Sequence, residues 1–275
     1  KKVKAEHEEK GHGGRFGAGL PSTSDGSFLF LMHLIAKMKP EGSRLAIVFN
    51  GSPLFSGSPS ATKNESSIRQ WIIENDMLET VIALPNQLFY NTGISTYIWL
   101  ISNHKPKNRK GKVQLINAVD LFKKMSKSLG NKRNELAVEH IADITKTYGD
   151  FIANDYSKIF DNKDFGYSKV TVERPERDAE GNIKLDKKGL PKADSSLRDT
   201  ESIPLKEDIQ AYLKREVLPH VPDAWIDESK TKIGYELNFT KYFYQYKPLR
   251  SLEDIRRDIM ALEKETLGLI NEVIG

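Results

Sequence analysis

The stretch that decides the fold is LETVIALPNQLFYNTGISTYIWLIS, residues Leu78–Ser102. Val81-Ile82-Ala83-Leu84 is a short apolar run that stops at Pro85, and Ser95-Thr96-Tyr97-Ile98-Trp99-Leu100-Ile101 is a second run rich in β-branched and aromatic residues. Neither alternates apolar with polar, so both read as strands buried on two faces. The connector Asn86–Gly93 is polar at its ends and carries Leu88, Phe89 and Tyr90 in its middle. Loops seldom hold three large apolar side chains in a row. These three either plug the end of the sheet or face something flat and apolar, such as a base.

Working outward on the amino-terminal side, Arg44–Phe49 (RLAIVF) reads as a continuous buried strand that ends at Asn50-Gly51. A Ser-rich loop over 52–64 follows, then a helix over about 66–75 with Ile68, Trp71 and Ile72 on one stripe. Strand, helix and strand with short links form the βαβ unit of an open α/β sheet. In such sheets the ligand site lies at the carboxyl ends of the strands, here Asn50-Gly51 and Pro85-Asn86-Gln87. The Leu88-Phe89-Tyr90 loop therefore projects where a ligand would sit. Upstream, Ser27–Met38 is apolar on nearly every side and predicts a helix lying under other elements, with His33 packed in the core. Residues 1–25 read as a flexible loop, because the glycine cluster Gly11–Gly19 lacks the preceding strand that a dinucleotide cradle requires.

On the carboxyl side, Lys105, Lys107, Arg109, Lys110 and Lys112 place five positive charges in eight residues between the strand ending at Ile101 and the run Val113–Ala118. That spacing reads as a hairpin with a basic tip, either a solvated turn or a contact to backbone phosphate. Asp120–Met125 and Glu135–Thr147 read as helices, and Phe165–Val172 reads as a strand. Glu173–Thr200 is strongly polar, with Gly181, Gly189 and Pro191 as breakers, and reads as an exposed hairpin or disordered insertion. Ile203–Val217 reads as a helix with acidic residues early and basic ones late. Val221–Tyr246 is rich in aromatics, the mark of a core or a partner face. Leu252, Ile255, Ile259, Leu262, Thr266, Leu269 and Val273 alternate by three and four residues after a Ser251 cap, which is a heptad seam of about three heptads.

The chain of 275 residues carries 42 basic and 38 acidic side chains, a formal charge of +4, which permits nucleic-acid binding without announcing it. It has no cysteine, which excludes disulfides, thiolate zinc sites and cysteine nucleophiles and agrees with a cytoplasmic location. No apolar run approaches a membrane span. The six histidines lack metal spacing, and no His-x-x-x-His, Gly-x-Ser-x-Gly elbow or P-loop lysine occurs. From the residues alone there is half a sheet with an open end and no catalytic or metal-binding set.

Gly26-Ser27-Phe28 leading an apolar helix, Arg44-Leu45-Ala46-Ile47-Val48, Ile68-Arg69, and Val81–Phe89 with Thr92-Gly93-Ile94 together resemble the modification (M) subunit of type I restriction-modification systems. Asp199-Thr200-Glu201, Pro204-Leu205-Lys206, Val217–Trp225 and Gly234-Tyr235-Glu236 are similar to that family's carboxyl-terminal region. The resemblance implies an S-adenosylmethionine-dependent methyltransferase acting on N6 of a flipped DNA adenine. It also implies partnership with a DNA-reading specificity subunit and, in the full complex, a restriction subunit. The implied fold is α/β: the second half of a class I S-adenosylmethionine methyltransferase (Rossmann-like) sheet of seven strands. Arg44–Phe49 and Leu78–Leu84 are its parallel strands, Thr96–Ile101 is the inserted antiparallel one, and a mostly helical carboxyl-terminal region follows. The domain boundaries expected are 1–118 for the carboxyl-terminal half of the methyltransferase domain, 119–172 for a helical extension, 173–200 for the polar insertion and 201–275 for a helical region with a partner-docking helix.

The family's Gly-rich cofactor loop and Asn-Pro-Pro-Phe/Tyr catalytic loop do not occur in this sequence; they are expected upstream of Lys1. The chain alone is accordingly expected to be inactive, with the methyl donor bound mainly by upstream residues. Its expected contributions are Phe89 and Tyr90 to the extruded base, Lys105, Lys107, Arg109 and Lys110 to backbone phosphate, and the heptad helix to the specificity subunit. The alternative is a non-catalytic module that docks helices and binds DNA.

Overall fold

Strand β2 (Leu78–Leu84) is buried at every position, and the first sheet of the computed structural model is assembled around it. All residues are described except 61, 62, 245, 247 and 275, as are the side chains up to residue 266. In chain order the elements are α1 (Lys2–Lys10), α2 (Ser27–Ile35), β1 (Arg44–Phe49), α3 (Ser52–Phe55), α4 (Glu65–Glu74), β2, β3 (Thr96–Ser102), β4 (Lys112–Asn117), β5 (Lys123–Leu129), β6 (Lys132–Glu135) and α5 (Val138–Asp150). These are followed by β7 (Ser157–Asp161), β8 (Gly166–Glu173), β9 (Asp199–Pro204), α6 (Ile209–Tyr212), β10 (Trp225–Tyr235), α7 (Phe239–Phe243) and α8 (Leu252–Ile274). Residues Lys1–Phe243 form one unit and Tyr244–Gly275 another.

The first sheet has the order β1-β3-β2-β4-β7. β3 lies between β1 and β2 and runs antiparallel to both, with Arg44 opposite Ser102 and Leu84 opposite Thr96. β4 joins the other side of β2 in parallel. The two parallel strands and the inserted antiparallel strand expected from the resemblance are present, within a mixed α/β architecture; the sheet has five strands among the described residues, against the seven implied. Helix α4 makes the connection from β1 to β2. It begins where Asn64 accepts the Ser66 N–H at 3.0 Å, an N-cap, and it buries Ile68, Arg69, Ile72 and Ile73. Phe28 from α2, Phe49 from β1 and Trp99 from β3 meet edge to face at 5.7 to 6.2 Å between ring centroids, a geometry that aligns ring edges with ring faces.

The second sheet, β10-β8-β9, is antiparallel throughout. Val170, Val172, Ile203 and Ile226 from its strands pack with Leu213, Val217 and Ala224. Arg69, fully buried on α4, ties this sheet to the first: its Nε donates to the Tyr235 carbonyl at 2.7 Å and its Nη1 to the Pro53 carbonyl at 3.1 Å. Burial without a carboxylate partner pulls its guanidinium down to about 10.

Several expectations change. β1 is an edge strand whose exposure alternates, with Val48 nearly half exposed; nothing among the described residues covers its outer edge. Helix α2 ends at Ile35, and it leaves Phe30 and Leu34 open to solvent. His33 is only partly buried and meets Arg15 at 3.1 Å. The segment from β3 to β4 is a crossover past β2, not a hairpin, because β3 and β4 flank β2 instead of pairing. Asp120–Met125 is not a helix: β5 starts at Lys123 and turns through Gly130-Asn131 into β6. Residues 119–172 thus hold one α-helix, α5, and a short 3-10 turn (Asn162–Phe165) among strands β5 to β8. The start of the expected Ile203–Val217 helix belongs to β9, where Ile203 pairs with Ser168, and the helix proper begins at Ile209. Trp225–Tyr235, whose aromatics mark a core, is β10. In the second unit Ser251 accepts the Asp254 N–H at 3.1 Å at the start of α8. Leu252, Ile259 and Leu262 of the heptad seam are exposed; the side chains of Leu269 and Val273 lie outside the described residues. No described helix is long and apolar enough to cross a membrane.

Candidate nucleic-acid site at the carboxyl ends of the strands

β2 delivers the chain to Pro85 at the same end of the sheet at which β1 delivers it to Asn50, since both run antiparallel to β3. The loop that follows β2 divides its three large side chains. Leu88 packs with Ile82, Leu84, Ile116, Ala118 and Ile144 and closes that end of the core. Phe89 is 37% exposed and Tyr90 65% exposed. Leu88 thus plugs the end of the sheet, while Phe89 and Tyr90 are left open to solvent. Phe89 bridges to Thr92, so the loop is a small tight hairpin. Gln87 adopts φ 55°, a left-handed backbone that costs a non-glycine residue about 1 kcal/mol.

That conformation is held by neighbours absent from the expected site. The Gln87 carbonyl accepts the Arg133 and Asn134 N–H groups at 2.9 and 3.1 Å. Asn134, 4% exposed, donates its Nδ2 to the Asn86 carbonyl at 3.0 Å. The Tyr90 carbonyl accepts the Asn131 N–H at 3.0 Å. All three donors belong to the β5–β6 hairpin. A signal for it is present in the sequence, since Gly130-Asn131 is a dipeptide of two-residue hairpin turns. The leading lysines of Lys123–Leu129 mask that signal by imitating a helix face.

The four basic residues expected at phosphate divide as well. Lys105 is 4% exposed, and its Nζ donates to Asp76 Oδ1 at 2.6 Å and to the Lys112 carbonyl at 2.8 Å. Burial draws its ammonium below the usual lysine range despite that partner. Arg109 is 5% exposed, stacked over the Tyr148 and Phe151 rings at 4.4 and 4.2 Å and paired with Glu79 at 3.5 Å. Both side chains are occupied inside the fold, which leaves Lys107 and Lys110 exposed to solvent. The whole segment lies at the amino ends of β2 and β4, whereas Phe89 and Tyr90 lie beyond the carboxyl end of β2. Seven residues of strand at about 3.3 Å each separate the two regions by about 20 Å. The geometry does not bring the two expected contacts together.

The glycine cluster Gly11–Gly19 does not fit a nucleotide cofactor. It follows α1 rather than a strand, and a Cβ on Gly17 would overlap the Gly11 backbone, so Gly17 serves close chain-on-chain packing. A second concavity of about 500 Å³ lies between α2 and the free edge of β1, lined by Phe30, Leu34, Ile47 and Val48; it is largely apolar.

The chain is thus a mixed α/β protein in which an antiparallel strand is inserted between two parallel ones, with an exposed aromatic turn at their carboxyl ends. The chain belongs to the N-6 DNA Methylase family, whose model matches residues 3–184. It is 33% identical over 154 residues to the Type I restriction enzyme MjaIX methylase subunit of Methanocaldococcus jannaschii, which covers 56% of this chain and 25% of that protein. It is 38% identical over 104 residues to the Type I restriction enzyme HindI methylase subunit of Haemophilus influenzae, covering 38% and 22%. Among solved structures it is similar to the type I restriction-modification system methyltransferase subunit from Streptococcus thermophilus, at 27% identity and a TM-score of 0.44, covering 52% and 28%. The two methylase subunits agree with the resemblance to type I modification subunits. The chain spans about a quarter of the length of the curated relatives it matches.

Proposed function

We propose that this chain is one part of a DNA adenine-N6 methyltransferase subunit of a type I restriction-modification complex, and that its role is to supply one wall of the pocket for a flipped adenine. The observation that carries the reading is the turn at the carboxyl end of β2, where Phe89 and Tyr90 remain exposed while Leu88 is packed. An exposed aromatic pair on a braced loop suits stacking against an extruded base. S-adenosylmethionine and the catalytic loop are supplied by other residues of the whole subunit, since the glycines of this chain do not form a cofactor cradle. The exposed Leu252, Ile255, Ile259 and Leu262 on α8 support docking of that helix on a specificity subunit, and a restriction subunit joins in the complete complex.

The test is methyl transfer to duplex DNA by the chain alone, and by the chain co-expressed with the remainder of a modification subunit. The chain alone is expected to show no calorimetric binding of S-adenosylmethionine and no methyl transfer. With the remainder supplied, activity appears and falls by tenfold or more on Phe89→Ala. Micromolar donor binding by the chain alone, or restored activity indifferent to Phe89→Ala and Tyr90→Ala together, would refute the reading.

A further inference from the structure

The β5–β6 hairpin carries Lys123, Lys124, Lys127, Lys132 and Arg133, five cations in eleven residues with no acidic residue between them. All but Lys132 are exposed, and among the described residues none of the five has an ion-pair partner within 4.0 Å. Lys123 lies across the ladder from Glu135, while Lys124 lies opposite the neutral Asn134. With Glu135 opposite Lys123 alone in that register, the remaining cations keep a positive field that an anion brought to the hairpin relieves. This hairpin is also not a loose surface appendage. Gly130, at φ 60°, comes so near the Tyr90 carbonyl that a Cβ there would lie 2.6 Å from its oxygen. The Lys132 ammonium stands 5.6 Å from the centre of the Tyr90 ring. The three backbone bonds to Gln87 and Tyr90 then lock the charged arm and the aromatic turn into one rigid piece.

We propose that this hairpin is the phosphate-binding arm for the DNA strand whose base meets Phe89 and Tyr90. The inference rests on the proposed function and adds a site to it, at the opposite end of the sheet from Lys107 and Lys110. Cations interleaved with exposed aromatics match a polyanion that also presents flat apolar faces, which singles out nucleic acid. Lys124 and Lys127 are three residues apart along a strand, about 10 Å at most. Successive phosphates of one strand rise about 3.4 Å along the duplex axis while winding round it, so a span of this size suits neighbouring phosphates of one strand. Because Arg133 binds Gln87 through its backbone, its side-chain chemistry can change without releasing the turn. Phosphate contact at the arm sets the height of the strand over Phe89 and Tyr90.

The experiment measures binding of the full chain to a fluorescein-labelled 30-base-pair duplex by anisotropy across a salt series. The proposal expects binding whose logarithm falls linearly with log salt. In Lys124→Gln/Lys127→Gln/Arg133→Gln the slope becomes shallower by about 2.7, at about 0.9 for each phosphate no longer neutralised, and affinity at low salt drops at least tenfold. Lys124→Arg/Lys127→Arg and Lys107→Gln/Lys110→Gln stay within about twofold of the parent. Circular dichroism and melting of the Gln variant should match the parent, since the altered side chains are exposed. A slope change below one, an equal loss in the Lys107/Lys110 variant, or no salt-dependent binding by the parent chain overturns the arm. Failure of the arm and failure of the methyltransferase reading are separable. If methyl transfer by the complemented chain depends on Phe89 but is indifferent to the arm variant at every salt concentration, the arm falls and the methyltransferase reading stands.

Discussion

Glu79→Gln is the change that tests the internal electrostatics of the sheet most directly. Glu79 sits on β2 with no exposure, and its carboxylate meets Arg44 Nε at 3.0 Å, Arg109 Nε at 3.5 Å and the Tyr148 hydroxyl at 2.8 Å. Arg44 is half exposed, so its pair contributes less than about 1 kcal/mol. Arg109 is not exposed, and at an effective dielectric near 20 two unit charges 3.5 Å apart attract by about 5 kcal/mol. The glutamine keeps the shape and still accepts from Tyr148, but it leaves Arg109 buried with only the Gln114 side-chain oxygen at 3.1 Å, the Tyr148 carbonyl and two ring faces. Breaking one side of a buried pair costs about 3 to 5 kcal/mol. With a urea dependence of about 3 kcal/mol per molar, the unfolding midpoint should fall by about 1 to 1.7 M, followed by tryptophan fluorescence, since Trp99 is buried in the same sheet. Adding Arg109→Met to Glu79→Gln should return more than 1 kcal/mol of that loss, because the stranded charge is gone. A midpoint shift under 0.3 M, or a double variant no more stable than Glu79→Gln, would refute the assignment of Arg109 to the fold.

Gly130→Ala forces a side chain into left-handed backbone, at about 1 to 2 kcal/mol, and against the Tyr90 carbonyl; hydrogen exchange at Asn131 and Arg133 should quicken while β2 stays protected, and unchanged exchange would count against the docked hairpin. Asn64→Ala removes the N-cap of α4 and should cost about 1 kcal/mol in thermal melting; no change would mean that the helix start is held by other groups. Burial raises the Asp76 carboxyl, but bonds from Lys105, the Gly111 N–H and Asn162 outweigh burial and hold it below the usual carboxylate range. Its folded value therefore lies below its unfolded one, so its stabilisation is present above about pH 4 and is lost as pH falls further. Asp76→Asn, which suits the positive φ at this position, should flatten that part of the acid unfolding curve, and an unaltered curve would contradict the linkage.

The central sheet was legible in the residues because β2 is apolar on both faces, a pattern that only a central strand requires, and Leu84-Pro85 marks where it stops. The strand β3, the helix α4 and the apolar turn after β2 follow from equally local chemistry, whereas the antiparallel direction of β3 is implied only by the resemblance. That Leu88 would pack while Phe89 and Tyr90 stay open was not legible. The arrangement of charge was not legible. Lys105 and Arg109 look like any exposed basic turn until Asp76 and Glu79, 29 and 30 residues away in the sequence, close on them. Conversely, the start of Lys123–Arg133 reads as part of a helix, whereas the folded segment is a hairpin whose backbone pairs with Gln87 and Tyr90 more than 40 residues earlier. Local propensity depends on a few neighbouring residues and so can be read along the chain. Which cations are buried and which remain free depends on partners distant in sequence, and for that reason the packing of the folded chain alone decides where its positive charge is available to bind.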